Sequence, residues 1–80
     1  MVIKILGAGC ANCKRLEAIT KEVVKELGVP AEIEHVTDYK EIMSYGVMAT
    51  PGLVIDEKVV SAGRIPSKAE VTTYITSALS

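Results

Sequence analysis

Two cysteines, Cys10 and Cys13, are the chain's only thiols, and Ala11 and Asn12 stand between them. A pair so close can exchange with a disulfide or hold a soft metal ion. As a structural bridge it would close a very small loop and constrain the unfolded chain little. Gly7-Ala8-Gly9 precede the pair and a helical pattern follows it. The start of a helix offers unpaired N–H groups and the positive end of the helix dipole, and both stabilise a thiolate. Cys10 is therefore expected to be the exposed nucleophile. Cys13, one turn further in, is expected to be shielded and to attack the mixed disulfide formed at Cys10, because residues three apart share a helix face.

Two other readings of the pair stand beside this one. Buried cysteines can act as small apolar core residues. The chain could also be a soft-metal carrier, binding copper or zinc through the same two thiols. Small copper-carrying domains place Cys-x-x-Cys between a first strand and a first helix. They typically have Met two residues before the first cysteine, where this chain has Ala8, and they tend to end in a strand. A structural zinc site normally takes four ligands, and the sequence offers two cysteines and one histidine. No metal site and no cofactor is expected.

The elements that must position the cysteines can be read from periodicity. Val2-Ile3-Lys4-Ile5-Leu6 is a short β-branched run ended by Gly7, which predicts a buried strand. From Cys13 to Leu27 apolar residues recur at helical spacing, with Thr20 partly on that face, and Gly28 and Pro30 stop the helix. Residues 31–36 alternate as an edge strand does. Asp38 to Glu41 resembles a capping box opening a short helix that ends near Gly46. After a loop over residues 47–51, residues 52–55 and 58–62 read as a hairpin around Asp56-Glu57. Ser67 and Glu70 form a second capping signature, and Val71, Tyr74, Ile75, Ala78 and Leu79 make the stripe of a closing helix. The order βαβαββα predicts a parallel pair with a right-handed crossover, followed by a hairpin and a helix.

The chain resembles the thioredoxin and glutaredoxin superfamily, in particular its small glutaredoxin-sized prokaryotic members. The residues that carry the likeness are Cys10-Ala11-Asn12-Cys13 after the first strand, Ala49-Thr50-Pro51 before the third and Ala62-Gly63 after the fourth. The resemblance covers essentially the whole chain. It implies an α/β thioredoxin-like fold, a four-stranded mixed sheet flanked by three helices, two on one face and one on the other, as a single domain over residues 1–80. It implies a thiol–disulfide oxidoreductase with Cys10 and Cys13 as catalytic residues. It also implies a cis Thr50–Pro51 bond beside the cysteines, a position chemically open to cis because the bond is X–Pro. Ala49, Thr50 and Pro51 would then bind substrate, with the Thr50 backbone pairing with an extended segment and the Pro51 ring keeping that edge clear. The implied partners are a disulfide-containing protein or small molecule and a disulfide reductase as electron donor.

Composition narrows the field further. The formal net charge is -1 and the nine basic residues are dispersed, so no run is suited to gripping a phosphate backbone. There is no Trp or Phe and only three Tyr, which disfavours base stacking; no nucleic acid partner is expected. No apolar run approaches transmembrane length and no leader pattern opens the sequence, so no membrane partner is expected and a cytoplasmic monomer is. Hydrophobic residues make up 49% of the chain, dominated by branched aliphatics that suit a sheet with helices against it.

Four further residues carry expectations. Lys4 lies where thioredoxins keep a buried acid, six residues before the first cysteine. It is expected to snorkel from the sheet margin, the sharper hypothesis being that its charge supports the cysteine thiolate or serves proton transfer in resolution. His35 is expected to be a solvated edge residue rather than a ligand or relay. Met43 and Met48 are expected to pack, Met48 being close enough to Thr50-Pro51 to face a substrate as well.

Overall fold

A computed structural model describes residues 1–9 and 11–79. Its elements are β1 (Val2–Leu6), α1 (Ala11–Leu27), β2 (Glu32–Val36), α2 (Tyr39–Ser44), β3 (Gly52–Ile55), β4 (Lys58–Ala62) and α3 (Lys68–Leu79). They match the order expected from periodicity, with the second strand beginning one residue later. The sheet runs β2-β1-β3-β4. β1 pairs parallel with β2 and antiparallel with β3, and β3 pairs antiparallel with β4. Central β1 therefore aims its C-terminal end, and the loop after it, at the first turn of α1.

The alternation of β1 splits the core in two. Ile3 and Ile5 face one way and join Leu53 and Ile55 under Leu16 and Val23 of α1 and Val71 and Ile75 of α3. Leu6 faces the other way with Val36 and Val54, covered by Ile42 of α2 and by Val47. Two helices thus pack on one face and one on the other, and each layer excludes water from one side of the sheet. Thr20 is fully buried in the α1 stripe, and its hydroxyl avoids an unmet bond by donating to the Leu16 carbonyl at 2.7 Å.

Local chemistry sets the ends of the elements. Gly28 takes φ 66° past the end of α1, where its N–H meets the Lys25 carbonyl and the Val29 N–H reaches Val24, a Schellman closure. Asp56 and Glu57 both take positive φ (47° and 68°), as a two-residue hairpin turn requires, and the Asp56 carboxylate accepts from the Val2 N–H. The Ser67–Glu70 box is complete: the Glu70 N–H donates to Ser67 Oγ and the Ser67 N–H donates to Glu70 Oε1. The earlier box is only half made, with the Lys40 N–H donating to Asp38 and Glu41 making no return bond to the cap.

Leu27 and Leu79 do not complete their stripes; they are 39% and 56% exposed. Their helices have 17 and 12 residues, about 25 and 18 Å at 1.5 Å per residue, and the last turns overrun the short strands beneath them.

Candidate active site

Cys10, the expected nucleophile, lies outside the described residues. Cys13 sits in the first turn of α1 and is 5% exposed, shielded as expected. No acidic residue occupies that turn, so nothing there offsets the positive helix end. The sulfur occupies space left by a missing side chain on β1's exit loop. A Cβ on Gly7 would collide with Cys13 Sγ, and would also lie 3.7 Å from Thr50 Cβ. One small gap thus brings together the α1 thiol and the loop before β3. Gly7 is anchored there by its N–H, which donates to the Val36 carbonyl at 2.9 Å.

The Thr50–Pro51 peptide bond is cis. Pro51 is fully buried while Ala49 and Thr50 are exposed, so the loop is rooted at its proline and presents the two residues before it. The Gly63 N–H donates to the Pro51 carbonyl at 2.9 Å, and a Cβ on Gly63 would lie 3.2 Å from Ala49 Cβ. The Ala62-Gly63 corner therefore supports this loop from the end of β4.

Two hollows flank the loop over residues 7–9. One, about 310 Å³, opens between α1 and β2 and is lined by Ile5, Gly7, Cys13, Glu17, His35 and Thr37. His35 is not simply solvated: its Nε2 contacts the Glu17 carboxylate across this hollow. Register explains the meeting, since His35 pairs with Ile5 and shares its face, toward α1. The second hollow, about 190 Å³, is bordered by Ala8, Thr37, Tyr39, Met48 and Thr50. Met43 and Met48 do not pack as expected; they are 45% and 89% exposed, because the buried positions on this side belong to Ile42 and Val47.

Lys4 belongs to neither hollow. It emerges on the α2 face, where Nζ donates to Glu57 Oε1 at 2.7 Å and Tyr45 Oη at 2.8 Å, and Tyr45 Oη donates to Glu57 Oε2 at 2.9 Å. Hydrogen bonding to Glu57, then to Tyr45, holds the ammonium above the ordinary lysine range, and the same contacts hold the Glu57 carboxyl below its own. The charge is engaged away from Cys13. Sequence reasoning missed this cluster and the Glu17–His35 pair. The only available signals were the i, i+4 spacing of Cys13 and Glu17 and the Ile5–His35 register implied by a parallel pair.

Among the described residues, no three His, Cys, Asp or Glu side chains are grouped so as to hold a metal ion, and no helix is long and apolar enough to cross a membrane. Comparison with known proteins adds the decisive observation: the thioredoxin domain family matches residues 1–76. The chain belongs to the thioredoxin family. A thioredoxin of Methanothermobacter thermautotrophicus is 45% identical over 71 residues, covering 89% of this chain and 92% of that protein. One of Methanocaldococcus jannaschii is 44% identical over 71 residues, covering 89% and 81%. A solved structure described as that of a malarial protein is similar in fold alone, with TM-score 0.69, 13% identity and coverage of 99% and 97%. With this membership the chain is a thiol–disulfide oxidoreductase, which decides between the two chemistries open to a close pair of thiols.

Proposed function

We propose that the chain reduces disulfides by a two-step exchange in which Cys10 attacks and Cys13 resolves. The Cys10 thiolate attacks one sulfur of a substrate disulfide, and the other sulfur leaves as a thiolate. Cys13 then attacks Cys10; the second substrate thiolate leaves, and the pair ends oxidised as a Cys10–Cys13 bond. The observation that carries this reading is the Gly7 gap, which seats a buried Cys13 sulfur beside Thr50. A resolving thiol has to be shielded from solvent oxidants yet adjacent to the place where substrate lies.

Ala49, Thr50 and Pro51 form the substrate-binding edge in this reading. Ala49 and Thr50 are exposed next to that sulfur, and their loop is held at Pro51 and Gly63, which suits pairing with an extended segment. Substrates are disulfides in proteins or small molecules, a disulfide reductase recharges the pair, and the domain acts as a monomer in a reducing cytoplasm.

The test uses a chromogenic aromatic disulfide and mass spectrometry. Cys10→Ser is expected to abolish reduction, and Cys13→Ser to stop at a mixed disulfide on Cys10. Stoichiometric Cu(I) or Zn(II) binding lost in either variant, with no disulfide reduction by the wild type, would instead favour metal carriage.

A further inference from the structure

Exchange by a buried thiol poses a problem that the elements so far do not solve. Cys13 attacks only as a thiolate, and burial disfavours the charged form. Its proton needs an acceptor within reach. Among the described residues, β1 contributes Ile5 to the surroundings of Cys13, its exit loop contributes Gly7 and Gly9, and the loop before β3 contributes Thr50. The described charged or titratable groups sharing its hollow are Lys14 and Glu17 of α1 and His35 of β2. Lys14 is exposed and, as an ammonium, accepts nothing.

Glu17 is placed differently. It lies four residues after Cys13, so the two side chains share one face of α1. Its side chain is 23% exposed, and His35 Nε2 contacts its carboxylate from β2. Lys21, one turn further along, stands 3.9 Å from the same carboxylate. Glu34 neighbours His35 in sequence and is exposed, with its strand position on the opposite face. An anionic oxygen is thus held at the wall of a hollow that also contains the thiol, and the hollow has room for one bridging water.

We propose that Glu17, held in place by His35, is the proton acceptor for the Cys13 thiol in the resolving step. This rests on the assignment of Cys13 as the resolving residue. The Cys13 S–H bond breaks and its proton passes to the Glu17 carboxylate. The thiolate attacks Cys10 and the sulfur–sulfur bond to the substrate breaks. The departing substrate sulfur keeps the electron pair and takes up a proton, either from Glu17 or from solvent. Glu17 returns to its carboxylate form and the substrate gains two electrons from the dithiol. His35 is a positioning residue, since it acts through the carboxylate.

The test isolates this step. Reduced protein is mixed with an equimolar aromatic disulfide and quenched in acid at intervals, and mass spectrometry follows formation and decay of the mixed disulfide from about pH 5 to about pH 9. Glu17→Gln is expected to lengthen the mixed-disulfide lifetime at least about tenfold near neutral pH. The gap should close toward high pH, where hydroxide can replace the carboxylate. His35→Gln should give the same pH pattern with a loss of about threefold to tenfold. Lifetimes within about twofold of wild type at every pH, or a loss of the same factor at every pH as simple mispositioning would give, overturn the proposal. Cys13→Ser, releasing one aromatic thiol instead of two, reports separately on the underlying assignment. If wild type also releases only one, that assignment fails before Glu17 is in question.

Discussion

Replacing Gly7 by Ala adds one carbon at the point where the Cys13 sulfur already sits. The overlap lies with Cys13 Sγ itself, whereas Cys13 Cβ would be 3.5 Å from the new carbon, an ordinary contact. The sulfur therefore has to leave its rotamer or α1 has to shift, and Leu16 and Val23 lock the helix against β1 and β3. Overpacking of this kind costs about 1–3 kcal/mol. For a domain of this size each kcal/mol lowers Tm by roughly 4–8 °C. The cause can be isolated by a double-mutant cycle. In a Cys13→Ala background the sulfur is gone and only the strain of a Cβ at φ 158° remains, so Gly7→Ala should cost clearly less and the difference should be recovered as coupling energy. Denaturant unfolding of the four reduced proteins measures that coupling, and Gly7→Ala should also slow resolution more than the first attack. Equal destabilisation by Gly7→Ala with and without the sulfur would refute the reasoning, because the cost would then lie in the backbone rather than at the thiol.

Two further outcomes follow from the charged clusters. The Arg64 guanidinium, and then the Ser67 N–H, hold the Glu70 carboxyl down at about 2 from an ordinary 4.5. Its stabilising effect is complete above pH 4.5 and is lost as pH falls toward 2, so Glu70→Gln should melt a few degrees lower at neutral pH and the difference should vanish across that window. A melting difference independent of pH would count against it. Lys4→Met should leave the Cys10 thiol titration and the exchange rates within about twofold of wild type, because the ammonium is bound to Glu57 and Tyr45. A larger fall in exchange rate would restore a role for Lys4 at the thiols.

The fold was largely legible because its signals are local. β1 is a β-branched run between Met1 and Gly7, α1 carries its apolar stripe to a Gly–Val–Pro stop, and Ser67 and Glu70 mark the start of α3. Cys13 and Thr50-Pro51 could be placed on those elements by counting. What could not be read depends on register and on which side of a strand a residue falls. Whether Lys4 faces α1 or α2 is decided by one residue of alternation, and its partners lie 41 and 53 residues away. His35 meets Glu17 only because β2 pairs with β1 so that His35 stands beside Ile5. Met48 looks apolar enough to be buried, yet Val47 takes the inward position and leaves it at the surface.

The same alternation determines which charges can act on the thiols. Residues 3 and 5 of β1 face α1, and residues 4 and 6 face α2, so the sheet itself separates the Lys4–Tyr45–Glu57 cluster from the hollow that holds Cys13. An ionisable residue at position 4 would have to act across a layer of packed aliphatic side chains, while its partners offer it hydrogen bonds at 2.7–2.8 Å on its own side. The local contacts win, and the Lys4 charge is used to tie the start of β1 to the β3–β4 turn and to the end of α2. The described charged side chains that share a hollow with Cys13 lie on the α1 side. There, one helical turn and one strand register bring a carboxylate and an imidazole to the same wall as the sulfur. On this argument the lysine at position 4 and the Glu17–His35 pair are linked. Lys4 is engaged on the α2 side, and the Glu17–His35 pair holds the α1 side beside Cys13.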